Sequence, residues 1–238
     1  MNTKNALKSK STFMALAMAG LIVGLSACGG GSDDSSSSSE MKVSGTAATG
    51  KALDGASVAV TCVSGNGSAV SNGAGAYSAT VINGRGPCLV TATKGATVLR
   101  SVTPGAGIAN ITPLTDILVN YLAARAGTTP ESMLSSANGR AIIADTNALT
   151  AGQAAVVSYL QTTYGVTITS PNFLTVSITP PSGGAQSNSD KDLDGLAGKV
   201  VDSSGKVLGS VAGAVKAIAE KAPYGAPTGA TGGSAGSN

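Results

Sequence analysis

The chain has 238 residues, with 15 Lys/Arg against 12 Asp/Glu, no histidine, no Trp, two Phe and five Tyr. The missing histidine excludes Ser-His-Asp and Cys-His catalysis and His-ligated zinc in this chain. The scarcity of aromatics argues against the stacking surfaces that hold sugars or bases, and leaves Val, Leu, Ile and Ala to build a light core.

Residues 1–27 have the layout of a targeting segment, which carries no information about the mature fold. Lys4, Lys8 and Lys10 give a basic start. The apolar stretch from Phe13 to Leu25 that follows is too short and too rich in Ala and Gly for a spanning helix. It ends in Leu25-Ser26-Ala27-Cys28, which resembles a lipobox: small residues suit the peptidase before the cut, and the Cys28 thiol carries the lipid, palmitate included. The alternative is an ordinary secretory signal peptide with an accidental cysteine. The three leader lysines account for the whole excess of 15 basic over 12 acidic residues. The chain from Cys28 onward is therefore neutral, which removes the electrostatic case for a nucleic-acid partner.

Residues 28–41 comprise Cys28 and a Gly/Ser linker that has almost no apolar surface to offset the entropy of ordering. The residue after the cysteine is Gly29 rather than Asp. By resemblance to bacterial lipoproteins this implies the outer membrane as destination, with the lipid as the membrane partner. The Asp33-Asp34 pair bears on which side of that membrane the chain faces and leaves both sides open.

From 42 to 112, short alternating runs punctuated by Gly and Asn predict a small antiparallel β-sandwich, with strands at 42–47, 57–63, 68–71, 76–82, 87–94, 97–102 and 107–111. The inward sets are Val58, Val60, Cys62; Tyr77, Ala79, Val81; and Cys88, Val90, Ala92. With Cys28 lipidated, Cys62 and Cys88 are the remaining cysteines, both inward in an oxidising compartment, and a disulfide between them is expected. Two buried free thiols are the alternative. A redox centre would call for a C-x-x-C spacing that the chain lacks.

From 113 to 222 the period becomes helical. Thr112-Pro113 suits an N-cap and first-turn proline, with Leu114, Ile117, Leu118, Tyr121 and Leu122 on one stripe ending near Gly127. Thr129-Pro130-Glu131 repeats the start signal. Thr150 to Gln153 reads as a capping box opening a helix that Gly165 stops. A loop with Pro171, Pro180 and Pro181 follows. Leu193, Leu196, Ala197, Val200 and Val201 predict a further helix, and Val207, Val211, Val215 and Ile218 another, within which Gly209 and Gly213 permit close helix packing. The Gly/Pro/Thr/Ser tail, 223–238, is predicted disordered.

Val43-Ser-Gly45, Gly50-Lys-Ala-Leu-Asp-Gly55-Ala56-Ser-Val58-Ala-Val60 and Gly73-Ala-Gly75-Ala-Tyr77 resemble a carboxypeptidase regulatory-like (transthyretin-like) β-sandwich. The family's usual Asp-Gly-x-Tyr departs here, with Ala74 in place of the aspartate. Asn110-Ile-Thr-Pro-Leu-Thr-Asp116 and the helical segments after it are similar to proteobacterial lipoproteins that place this sandwich before a helical region. The resemblance implies a non-catalytic scaffold or binding element in a family of unassigned activity.

Asp190-Lys-Asp192-Leu-Asp194-Gly195 matches the first half of a calcium loop, but Val201 stands where a bidentate glutamate is expected. The competing reading is an acidic first turn favourable to a helix dipole. Ser203-Ser-Gly-Lys206 fits Ser-x-x-Lys by letters alone, and Gly198-Lys199 lacks the upstream glycine of a phosphate loop. Asp116 and Asp145 read as helix-start acids. A Lys42–Asn110 isopeptide bond would need a buried acid between the two residues.

The resulting expectation is an α+β protein, a prealbumin- or Ig-like sandwich followed by an α-helical region. Functionally it is a lipid-anchored, non-catalytic outer-membrane protein with no cofactor beyond a possible calcium, binding an envelope protein or another ligand. The rivals are a periplasmic enzyme with a carboxylate-based site between sandwich and helices, and a surface adhesin.

Overall fold

The structure is a computed structural model that describes residues 39–181 and 185–225. The targeting segment, Cys28, the linker as far as residue 38 and the tail from 226 lie outside the described residues.

Seven strands follow one another: β1 (Glu40–Thr46), β2 (Ser57–Ser64), β3 (Asn66–Val70), β4 (Ala76–Ile82), β5 (Arg85–Lys94), β6 (Thr97–Thr103) and β7 (Gly107–Ile108). They form two sheets, ordered β4-β1-β7 and β3-β2-β5-β6. Period-two alternation decides which side chains enter the space between them. All three predicted inward sets are buried there, together with Val43, Leu99, Ala109 and Ile111. The register of β2 against β5 sets Cys62 opposite Cys88, and a disulfide joins them. β3 begins two residues earlier than predicted. It comes close to β4 because Gly67 has no side chain: a Cβ there would lie 2.6 Å from the Thr80 carbonyl oxygen, so the close approach at this corner depends on glycine.

The last predicted strand, 107–111, is a correction. Only Gly107–Ile108 is strand, and it pairs parallel to β1, so the sandwich is not purely antiparallel. Asn110 turns away to a different set of partners, and Ile111 rejoins with an isolated parallel bridge to Ala47.

The helical region has α1 (Pro113–Arg125), a 3-10 turn (Pro130–Ser132), α2 (Ala137–Ala144), α3 (Thr146–Tyr164), α4 (Asn188–Asp194) and α5 (Gly209–Ala219). α1 starts as its sequence requires. Thr112 Oγ1 accepts from the Thr115 backbone N–H at 3.2 Å, Thr115 Oγ1 accepts from the Thr112 N–H at 2.9 Å, and Pro113 occupies the first turn. Instead of one apolar stripe, nearly every side of α1 is buried, because it packs against β6, α3 and α5 together.

α3 opens at Thr146, one turn before the predicted Thr150, because Asp145 Oδ1 accepts from the Asn147 and Ala148 N–H groups and is the better cap. It stops at Gly165 as predicted, in the left-handed conformation. The helix predicted over Leu193–Val201 is also corrected: α4 ends at Asp194, and Gly198 takes a φ of +69° that a continuing helix forbids. Leu196, Val200 and Val201 remain buried, reached by turns and not by a helical stripe.

Two apolar clusters result. One fills the sandwich; the other lies among the helices and takes in Val102 from β6, with partly buried Leu89 from β5 against it. The outer face of β5 and β6 is therefore roofed by the helices, a sheet, sheet and helix layering.

Candidate functional site

The seam between β6 and the helical layer carries a network of charged side chains around buried Asp116. Arg100 points outward from β6, the direction opposite to inward Leu99. Its backbone N–H donates to Asp116 Oδ1 at 3.1 Å, its Nη1 donates to the same oxygen at 3.2 Å, and its Nη2 reaches Glu131 Oε1 at 2.5 Å. Thr115 Oγ1 completes the seam by donating to the Arg100 carbonyl at 2.8 Å. Burial pushes the Asp116 carboxyl above the ordinary aspartate range, against the lowering pull of Arg100.

Asp116→Ala is expected to cost about 2 kcal/mol at neutral pH in urea denaturation, since it strips a half-buried guanidinium of its buried acceptor. A raised carboxyl binds its proton more readily folded than unfolded. The proton-linked part of its contribution is therefore complete below the ordinary aspartate value and lost as pH rises through the folded one, which leaves the bonds to Arg100 at neutral pH. The stability of the variant should fall less steeply than that of the parent from mildly acid to neutral pH.

The predicted calcium residues separate. On α4, Asp192 points to the other side from Asp190 and Asp194: its carboxylate accepts from the Thr169 N–H at 3.0 Å, the Thr169 hydroxyl at 2.9 Å and the Ser170 N–H at 2.9 Å. The chain there is helical, so the three side chains do not wrap one point as a calcium loop would. Among the described residues no three His, Cys, Asp or Glu side chains gather to hold a metal ion. Asp190 and Asp194 do share a partner, the Gln186 side-chain amide.

Two further acids, Asp145 and Asp202, hold backbone. Asp145 caps α3 and also accepts from the Tyr224 hydroxyl at 3.2 Å, and the Ala148 N–H foremost holds its carboxyl below the usual range. Asp202 Oδ1 accepts from the Ser204 hydroxyl at 2.6 Å, the Ser204 N–H at 2.8 Å and the Lys206 N–H at 3.1 Å, with the Ser204 hydroxyl the main cause of a lowered carboxyl. That loop is the context of Ser203 and Lys206, so their spacing belongs to a turn and not to a catalytic helix. Gly198-Lys199 likewise stands at a turn.

Asn110 has a role that the sequence reading did not anticipate. Its Oδ1 accepts from the Thr46 N–H at 3.1 Å, and its Nδ2 donates to the carbonyls of Phe173 at 3.2 Å and Val176 at 2.6 Å. Lys42 is exposed on β1, and the Asn110 amide is engaged elsewhere. The only signal available was a buried-type asparagine between an apolar run and a helix cap.

Two open cavities flank these features. One of about 330 Å³, without charged lining, lies between the β6–β7 connection and α3, at Thr103, Ile108, Thr150, Gln153, Asn172 and Leu174. The other, about 360 Å³, is bordered by Thr49, Gly50, Lys51, Asp194, Asp202 and Ser203. No helix among the described residues is long and apolar enough to cross a membrane. No family model matches the chain, and neither a curated protein nor a solved structure matches it.

Proposed function

We infer that this is a lipid-anchored cell-envelope protein whose sandwich and helices act together as a non-catalytic binding or scaffold module, with the sandwich of the prealbumin-like, carboxypeptidase regulatory-like kind. The observation that carries the anchor is the order of segments: a basic start, an apolar stretch, Leu25-Ser26-Ala27-Cys28, then a Gly/Ser linker leading into β1. The Cys62–Cys88 disulfide suits the oxidising compartment that such a route reaches. The non-catalytic reading is supported by the work the acids do: Asp116, Asp145, Asp192 and Asp202 each accept backbone N–H groups that the fold would otherwise leave unpaired. A carboxylate engaged in this way is poorly placed to take a proton from a substrate.

The test is the intact mass of the protein extracted from membranes. The expected result is a chain beginning at Cys28 with a lipid-sized increment, and no thiol alkylation until reduction. A chain that keeps residues 1–27, or one that starts elsewhere without added lipid, would overturn the anchor.

A further inference from the structure

The Gln186 amide sits in an unusual place. Its Nε2 donates to Asp190 Oδ2 at 2.7 Å and to Asp194 Oδ2 at 2.6 Å, so a neutral NH₂ group bridges two carboxylates. Four residues apart on α4, the two acids share one face of the helix. Among the described residues the ion pairs are Arg100 with Asp116 and Glu131, and Lys216 with Glu220, so no lysine or arginine neutralises either acid.

A second observation concerns the other oxygen of Asp190. Asp190 is fully buried, and Oδ1, the other oxygen of the same carboxylate, has no hydrogen-bond partner. A buried carboxylate oxygen without a donor is costly, and an orphan of this kind asks for a missing ligand. Access is provided on the Asp194 side, which is exposed and borders the 360 Å³ cavity with Thr49, Asp202 and Ser203.

We propose that Asp190, Asp194 and Gln186 form a calcium site in which the amide turns over to offer Oε1, so that three side-chain oxygens face the ion and water from the cavity completes its shell. Turning an amide by half a revolution exchanges its oxygen and nitrogen with almost no change of shape. All the donors are hard oxygens, which excludes the softer transition metals. An irregular, partly hydrated set suits calcium better than magnesium, which demands near-octahedral geometry. The site replaces Asp192 of the sequence motif with Gln186, because the helix turns Asp192 away.

Thermal unfolding and calorimetric titration of the purified full chain, in EDTA, in calcium chloride and in magnesium chloride, test this. At about 10 mM calcium the expected rise in Tm over EDTA is about 3 °C or more, as for the weak sites of extracellular modules, with a smaller rise in magnesium. Asp190→Asn removes the orphaned charge, so the variant should fold and melt no lower than the parent in EDTA, yet bind calcium at least about tenfold more weakly. Equal Tm in EDTA and calcium, or the same calcium response in Asp190→Asn as in the parent, would overturn the site.

Discussion

Asn110→Ala is expected to lower the unfolding free energy by about 3 to 4 kcal/mol, a large share of the stability of an ordinary domain. The side chain is 2% exposed and makes three hydrogen bonds to backbone: one to Thr46 in β1, two to the Phe173–Val176 loop. Alanine leaves a donor and two acceptors without their side-chain partner and adds a small void. Asn110→Asp separates this account from simple loss of volume. The aspartate is nearly isosteric and keeps an acceptor for Thr46, but it sets a carboxylate against two carbonyl oxygens. It should therefore destabilise at least as much as alanine at neutral pH and recover partly in acid, where a protonated carboxyl can donate. Urea denaturation at two pH values reads both effects. Equal, small losses in the two variants would show that the loop is held by its apolar side chains instead.

Removing the disulfide has the next largest expected effect. Cys62 and Cys88 are 26 positions apart, and closing a loop of that size stabilises by about 3 kcal/mol on the chain-entropy account. Cys62→Ala combined with Cys88→Ala should lose about that much in denaturant unfolding, with a further small term for the volume removed from the sandwich core. The two strands already face each other through the ladder from Ser57 and Thr93 to Cys62 and Cys88, so the folded arrangement does not depend on the bond. The double variant should keep its strand content while its denaturation midpoint falls. A variant unable to fold at all would show that the bond directs strand pairing as well as restraining the unfolded chain.

Much of this was legible where a single periodicity governs a segment. The inward sets of β2, β4 and β5 follow from alternation alone, and with both cysteines inward on strands the pairing of Cys62 with Cys88 followed too. Thr112-Pro113 was legible because a cap is a local device whose partners lie within one turn. The start of α3 was misplaced because two caps compete. Thr150 has the right spacing, but Asp145 satisfies two N–H groups with one carboxylate, and Thr150 merely bonds back to Thr146 inside the helix.

Beyond Asp194 the apolar spacing suggested a helix, yet Gly198, at positive φ, allowed turns that bury the same side chains. Periodicity could not distinguish the two. The joining of Asn110 to the loop some 60 residues away, and of Gln186 to two acids, depends on tertiary contacts that leave no period in the chain. Sequence spacing grouped Asp190, Asp192 and Asp194; helical geometry kept two of them together and sent the third to Thr169 and Ser170.

The position of β1 bears on how the molecule would carry mechanical load. It is the middle strand of its sheet, bonded along its length to antiparallel β4 from Glu40 to Thr46 and to parallel β7 at Val43 and Ser44. Tension entering at Glu40 while the helices are held would run along the strand axis. Its bonds to β4 would then be loaded in shear, nearly together, instead of being peeled from one end. At the far end of β1, Asn110 grips the Thr46 backbone, and Ala47 and Ala48 are bonded to Gly75 and Ile111, so the pull is passed on into the body. A pull applied at Glu40 is thus met by the strand best suited to resist being drawn out.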